Sequence, residues 1–395
     1  MGSKFAAGEC GLSLQKRKPT LIYLSMAGIP SRSANSIQIM KMAEALADAY
    51  QPFRLLTSGF LWERDHSKVS LANWYGVSSL PKIRRLPEKI VGAYPFQGPR
   101  RIRLYSVLCF IYLVFNRNCI LYTREEKILK WSRWLKIPIM LEVHLKPTFG
   151  ECQTDKFVAN NPFLLGIVAI SPYLAKIYQQ HLPTVKVLHL EDGVQTEVYD
   201  ELPLKEELRH ELNINMRRFS RLAVFTGHLY KDRGIETIID AAKHCPDTLF
   251  LLVGGWDEDV ERRREEIKER RVNNVNLCGF RPNCEMPKYQ KAADVLLMPY
   301  SARLNIVDFF SSLKLFEYMA SGTPIVASNI PRVSEVLSAK GGYLVPPDDS
   351  QALALEIKHV FAEYEKALAR AQWARLRAKR YSWKSRAQTV LATFL

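Results

Sequence analysis

Two serines, Ser311 and Ser312, stand directly ahead of a stretch that reads as a helix, with Lys314 and Glu317 inside its first turns. Either serine can cap that helix by accepting backbone N–H bonds. Gly322 sits where a left-handed C-cap is needed, Pro324 bars further helix, and Ile325-Val326-Ala327 reads as a short buried strand. A polar loop ending at a helix N-terminus presents free N–H groups and the positive end of the dipole, which suits an anion. Glu317 adds a carboxylate able to accept hydrogen bonds from hydroxyls. An ordinary strand–helix unit with a surface Glu reads the same way locally.

A second group of polar residues lies upstream. His228, Lys231 and Arg233 fall in the loop between an apolar strand at 222–226 and a helix starting at Ile235. Arginine offers a planar fork of donors that fits phosphate oxygens, whereas neutral imidazole offers one donor. Lys231 reads either as a further cation at the loop or as a solvated charge. His144 ends another apolar strand, and Gly28 follows the first strand, where by itself it reads as a turn glycine. A metal is not expected. No Asp-x-Asp between strands is present for two-carboxylate binding of a divalent ion, and Asp257 and Asp259 read as a helix start.

The elements that must carry these groups alternate strand and helix. Thr20–Leu24 is a strand, then comes a loop over 26–36 and a helix with Ile39, Met42, Ala43 and Leu46 on one face. The second half repeats the layout from 222 onward. That alternation predicts an α/β protein of two doubly wound domains with parallel sheets covered on both faces. Expected boundaries are a disordered leader over 1–19, an N-terminal domain over 20–192, a C-terminal domain over 193–380, and a terminal helix over 381–395. Ligands of such sheets bind at the carboxyl ends of the strands. Neither half holds a Gly-x-Gly-x-x-Gly fingerprint, which argues against a plain NAD enzyme.

Charge is unevenly spread along the 395 residues. Residues 1–190 hold 26 Lys and Arg against 11 Asp and Glu, or +15, whereas residues 191–395 hold 30 against 29, or +1. Such asymmetry points to a polyanionic partner. Lys82, Arg84, Arg85, Lys89, Arg100, Arg101 and Arg103 cluster ahead of the apolar run Val107–Phe115. That run is too short for a bilayer span of about 20 residues, and it reads as a buried core helix. The basic cluster reads as a patch for an anionic membrane surface or for the acceptor. No nucleic-acid-binding signature appears. Seven scattered cysteines without metal spacing favour a reducing compartment, and no apolar signal core opens the chain. The expected location is cytoplasmic, peripheral on the inner face of a membrane.

The segment 308–317 resembles the donor-binding signature of family 4 retaining glycosyltransferases, which have the GT-B fold. It is similar to a branch with an Asp-x-x-Ser-Pro-x-Lys-x-Phe-Glu pattern: Asp308, Ser311, Lys314 and Glu317 match, and Ser312 replaces Pro. Where the family carries the first Glu of a Glu–seven residues–Glu motif, this chain has Phe309. Further similarities are the loop 30–36, Glu142-Val143-His144, Glu191-Asp192-Gly193-Val194, and Gly227 to Gly234.

The resemblance implies that Glu317 binds ribose hydroxyls and His144 contacts the donor sugar. It likewise implies that Gly28 lies against the donor phosphates, and that Arg233 and His228 hold the diphosphate, with Lys231 beside them. Ser311, Ser312, Leu313 and Lys314 complete the implied donor site with Asp308 and Phe309. The implied activity is transfer of a sugar from a UDP- or GDP-sugar to a hydroxyl of a lipid-linked or polysaccharide glycan, with retention, without metal or cofactor. Alternatives are a sugar-nucleotide epimerase or a phosphorylase on the same fold, or a nucleotide-sugar-binding or membrane-associated subunit without turnover.

Overall fold

The computed structural model describes residues 18–59, 70–87, 99–147, 158, 160–305 and 307–395. Two parallel sheets form its frame. The first holds β1 (Thr20–Gly28), β2 (Phe53–Gly59), β3 (Ile83–Pro87), β4 (Cys119–Thr123), β5 (Ile139–Val143), β6 (Leu164–Ala169) and β7 (Val187–His189), in the order β3-β2-β1-β4-β5-β6-β7. The second holds β8 (Arg221–Thr226), β9 (Thr248–Val253), β10 (Val275–Gly279), β11 (Val295–Met298), β12 (Ile325–Ser328) and β13 (Tyr343–Val345), in the order β10-β9-β8-β11-β12-β13.

Strands covered by helices on both faces need continuous apolar runs rather than alternation. Leu21–Leu24 in β1, Leu222–Phe225 in β8 and Val295–Met298 in β11 meet that need, with every side chain buried. In each sheet the strand order reverses beside the first strand of its half: β1 lies between β2 and β4, and β8 between β9 and β11. A crevice opens at such a reversal, at the carboxyl ends of the strands. The two sheets present these ends to one cavity.

The chain closes on itself through its last helix. The N–H of Val194 donates to Tyr381 (2.7 Å), and the helix Trp383–Phe394 lies against the helix Ala34–Ala49 of the first half. From it Arg386 reaches Glu142 and the carbonyl of Leu190.

Two sequence expectations change. β1 does not stop at Leu24. A bulge between Ser25 and Gly28 lets pairing resume, so Gly28 stands opposite Ser58 inside the sheet and the free loop begins at Ile29. The apolar run becomes the second half of the helix Pro99–Val114, yet the helix is only partly core. Tyr105, Cys109 and Leu113 are buried, whereas Val107 and Ile111 on the opposite side remain 46% and 48% exposed. Among the described residues no helix is long and apolar enough to cross a membrane. Residues 1–17 of the expected leader, and Lys89, lie outside the described residues. Arg100, Arg101 and Arg103 belong to the start of the helix Pro99–Val114.

Candidate functional site

A cavity of about 340 Å³ lies between the two sheets. Its C-terminal wall is largely backbone. β8 ends at Thr226 and hands over to Gly227 at φ +128°, beside Gly254 at φ +120°. A Cβ on Gly254 would stand 2.4 Å from the Gly227 carbonyl oxygen, so only glycine permits this approach. Gly234 is equally constrained: at φ +74° its Cβ would meet the Pro299 carbonyl oxygen at 1.7 Å.

The helix Leu313–Ser321 starts at the cavity, with Ser311, Ser312, Leu313, Lys314 and Glu317 in the lining. Its first backbone bond runs from the Leu315 N–H to Ser312, which leaves the N–H groups before it without helical partners. Neither serine caps it with a side chain. Ser312 holds the N-cap position without a side-chain cap bond, and the Ser311 hydroxyl instead accepts from the Asp192 N–H at 2.9 Å. The packing between the halves draws Ser311 away from its own helix.

Two cations flank this helix start. Lys314 Nζ lies 3.5 Å from the centre of the Phe225 ring, and Lys314 and Arg233 both face the Tyr300 ring, at 5.1 and 4.9 Å. Among the described residues neither has a carboxylate within 4.0 Å. Burial, and then the charge of Arg233, hold the Lys314 ammonium well below the usual lysine range. Arg233, with a Lys314 amine that a bound anion would draw back to its charged form, makes an anion site at the open helix N-terminus. Glu317, one turn in, accepts from Gln290 Nε2 at 3.1 Å. His228 stacks on Tyr230 and on Trp256, at ring distances of 4.8 and 5.8 Å. Burial, with the charges of Lys314 and Arg233, lowers its pKa, and its Nδ1 is buried without a hydrogen-bond partner.

The N-terminal wall is a side-chain network. Glu142, fully buried, accepts from Gln38 Nε2 and Arg386 Nη2 at 2.7 Å each and from the Tyr122 hydroxyl. Burial alone would raise its pKa, but Arg386 and His144 outweigh that and hold the carboxyl well below its usual range. His144 Nε2 stands 2.6 Å from the same carboxylate. Burial, and then Arg124, push the His144 pKa down to about 4, so the ring is neutral at neutral pH. With Glu142 ionised, Nε2 carries the proton and donates it. Arg124, just beyond β4, donates to Gln38 Oε1 at 2.6 Å and to Asn35. Arg32 reaches across the cleft, 4.6 Å over the Phe280 ring and 3.3 Å from Asp257.

Of the residues singled out from sequence, the cavity gathers His144, His228, Arg233, Ser311, Ser312, Leu313, Lys314 and Glu317. It does not gather the others. Gly28 is held in the sheet. Lys231 is exposed on a short 3₁₀ turn outside the lining, because its side chain faces solvent where Arg233 turns inward. Asp308 is exposed, and Phe309 packs on Tyr173 (ring distance 6.3 Å) within the N-terminal core. Sequence reasoning passed over Arg124 and Gln38, and gave no site role to Asp192 and Arg32, which lie in segments it noted as similar. Arg124 carried a readable signal, a cation at the end of a strand beside the reversal point. Arg386 carried none. Among the described residues no three or more His, Cys, Asp or Glu side chains are grouped to hold a metal ion.

Residues 220–363 match the profile of the family described as "Glycosyl transferases group 1". This is the stretch that builds the glycine wall, the Arg233–Lys314 pair and the helix with Glu317. Over this stretch the chain is similar to the group 1 glycosyl transferases. Its fold is GT-B. It is similar to the D-inositol 3-phosphate glycosyltransferase of Corynebacterium urealyticum, at 29% identity over 48% of this chain and 46% of that protein. It is also similar to the lipopolysaccharide 1,2-N-acetylglucosaminetransferase of Salmonella typhimurium, at 26% identity over 56% of this chain and 60% of that protein. The chain thus spans about half the length of the relatives it matches. Among solved structures, the sucrose-phosphate synthase from Thermosynechococcus elongatus superposes with a TM-score of 0.73 at 19% identity, covering 94% of this chain and 97% of that one. Alr3699/HepE of Anabaena in complex with UDP-glucose gives 0.70 at 17% identity, over 95% and 100%.

Proposed function

We propose that the protein transfers a sugar from a UDP- or GDP-sugar to a hydroxyl of a lipid-linked or polysaccharide glycan, with retention of anomeric configuration. The observation that carries this reading is the Arg233–Lys314 pair at the open N-terminus of the helix Leu313–Ser321, with Glu317 one turn further in. The diphosphate lies against the helix N–H groups and the two cations, and the ribose hydroxyls donate to Glu317. As the bond to the sugar lengthens, negative charge grows on the phosphate oxygen, where these groups are already placed. That oxygen takes the acceptor's proton, so no protein nucleophile is needed. The reading assigns the leaving charge to side chains and backbone and asks for no metal or cofactor. Neutral His144, oriented by Glu142, contacts the sugar. The family relatives of glycan biosynthesis and the UDP-glucose complex of Alr3699/HepE support this reading.

Calorimetry with UDP and GDP, followed by turnover of the matching sugar nucleotides, tests it. Micromolar binding of one nucleotide with slow donor hydrolysis is expected. Binding without any hydrolysis or transfer would favour a non-catalytic binding subunit, which the loss of a Glu at Phe309 makes the rival. Release of an altered sugar nucleotide would favour an epimerase.

The acceptor reading is a peripheral one, on the cytoplasmic face of a membrane. Val107 and Ile111 lie on one side of the helix Pro99–Val114, and Phe115, just past its end, is 82% exposed. Trp131 packs at a tilt against Phe110 (ring distance 4.6 Å) and donates to Ser106, which joins this helix to Leu129–Leu135 and its 76%-exposed Trp134. Arg117, Lys127, Arg133 and Lys136 around them are exposed, as are Lys82 and Arg84, while Arg85 also donates to the Ile29 carbonyl. Apolar side chains ringed by cations suit an anionic bilayer surface. Sedimentation with anionic vesicles should be salt-sensitive and weakened by Trp134→Ser and Phe115→Ser together. Equal binding of that variant would move the docking face elsewhere.

A further inference from the structure

The position that grips the donor sugar in the resembled signature is vacated here, and a different carboxyl stands at the cavity. Phe309 is turned out of the cavity onto Tyr173, with Lys146 Nζ 5.2 Å over its ring. A phenyl ring offers no oxygen to accept a hydroxyl bond. Asp192, where the chain crosses between the halves, lines the cavity beside His144 and Ser311. Its N–H donates to the Ser311 hydroxyl, which ties it to the segment just past Phe309. Its residue is 4% exposed, and its Oδ1 is buried without any hydrogen-bond partner.

We propose that Asp192 reads hydroxyls of the transferred sugar, in place of the carboxylate missing at Phe309. This rests on the donor reading above and names the group that distinguishes a sugar nucleotide from the bare nucleotide. The neighbouring cation, Arg386, gives Nη1 to the Leu190 carbonyl and Nη2 to Glu142, and its Nε, itself without a hydrogen-bond partner, makes no bond to Oδ1. A buried polar atom without a partner is costly unless a ligand supplies one, and adjacent sugar hydroxyls supply donors in pairs. Burial is the main cause that lifts the Asp192 pKa to about 7, with Glu142 and Glu191 adding to it against Arg386 and Arg124. A carboxyl poised there both accepts from and donates to hydroxyls.

The test compares two ligands on the full chain by calorimetry: the nucleoside diphosphate and its sugar nucleotide. Asp192→Ala should bind the diphosphate within about twofold of wild type and lose about tenfold or more for the sugar nucleotide, the scale of a bond to a charged group. Asp192→Asn, nearly isosteric, should retain part of the discrimination and serves where the alanine variant melts early. Deoxy-sugar nucleotides sharpen the result: wild type should penalise the missing hydroxyl, and the alanine variant should not. Equal losses for both ligands, or none for either, would overturn the assignment and leave Asp192 a hinge residue. Wild-type protein that binds neither nucleotide would overturn the donor reading itself.

Discussion

The C-terminal wall of the cavity comes from one stretch, Gly227 to Glu317, and works largely through backbone: glycine turns, a helix N-terminus and two cations beside it. The N-terminal wall is assembled from side chains that meet across long separations, such as Glu142 with Arg386, 244 residues apart. Backbone sites of the first kind lose one interaction when one side chain changes. A buried charge network of the second kind fails as a unit, because removing a member strands its partner in a medium that cannot solvate it.

The largest expected effect breaks that second wall. Arg386→Ala leaves Glu142 buried without its cation and unties the last helix, so unfolding by denaturant should show a loss of about 3–5 kcal/mol. Glu142→Gln with Arg386→Met should recover much of it. A loss below about 1 kcal/mol would show that the two walls do not differ in this way.

Next comes the donor wall, where the effect should fall on turnover rather than on stability. Arg233→Ala is expected to lower turnover by about 10²–10³, the scale of one preorganised donor. Its melting temperature should barely move, since no carboxylate pair is lost. Arg233→Lys should restore part of the rate. A normal rate in the alanine variant would transfer the leaving-group role to Lys314.

A smaller effect separates binding from chemistry on the same wall. Glu317→Ala should weaken nucleotide affinity by about 1.5–3 kcal/mol in calorimetry, with His144 and Arg233 untouched. Unchanged affinity in a folded variant would remove Glu317 from the ribose site. Smallest of all is Lys231→Ala, which should change stability and nucleotide affinity by less than about 0.5 kcal/mol, as for an exposed side chain away from the cavity. A tenfold loss there would place the wall's working cations wrongly.

Much of the first wall was legible. Ser311 to Gly322 announced a helix start and its left-handed end, and Gly322 does end that helix at φ +69°. Arg233 and Lys314 stood in the segments that the fold brings together. The alternation of apolar strands and amphipathic helices announced two parallel sheets, because each element's period is written within a few residues. Less could be read of side-chain direction. Arg233 and Lys231 are two residues apart, yet one faces Tyr300 in the cavity and the other solvent. Likewise the apolar run 107–115 states its hydrophobicity but not which face the sheet will cover.

The sequence by itself determined the local geometry: where helices begin, where glycine must turn the chain, and where cations follow strands. Those features depend on backbone sterics and on neighbours within one turn. Only the tertiary structure decided that Phe309 leaves the cavity for Tyr173, that Ser311 serves Asp192 rather than its own helix, and that Arg386 returns from the last helix to neutralise Glu142. Those outcomes follow from burial. A charge or ring removed from water takes whichever partner the packed chain brings within reach, and sequence separation does not enter that choice.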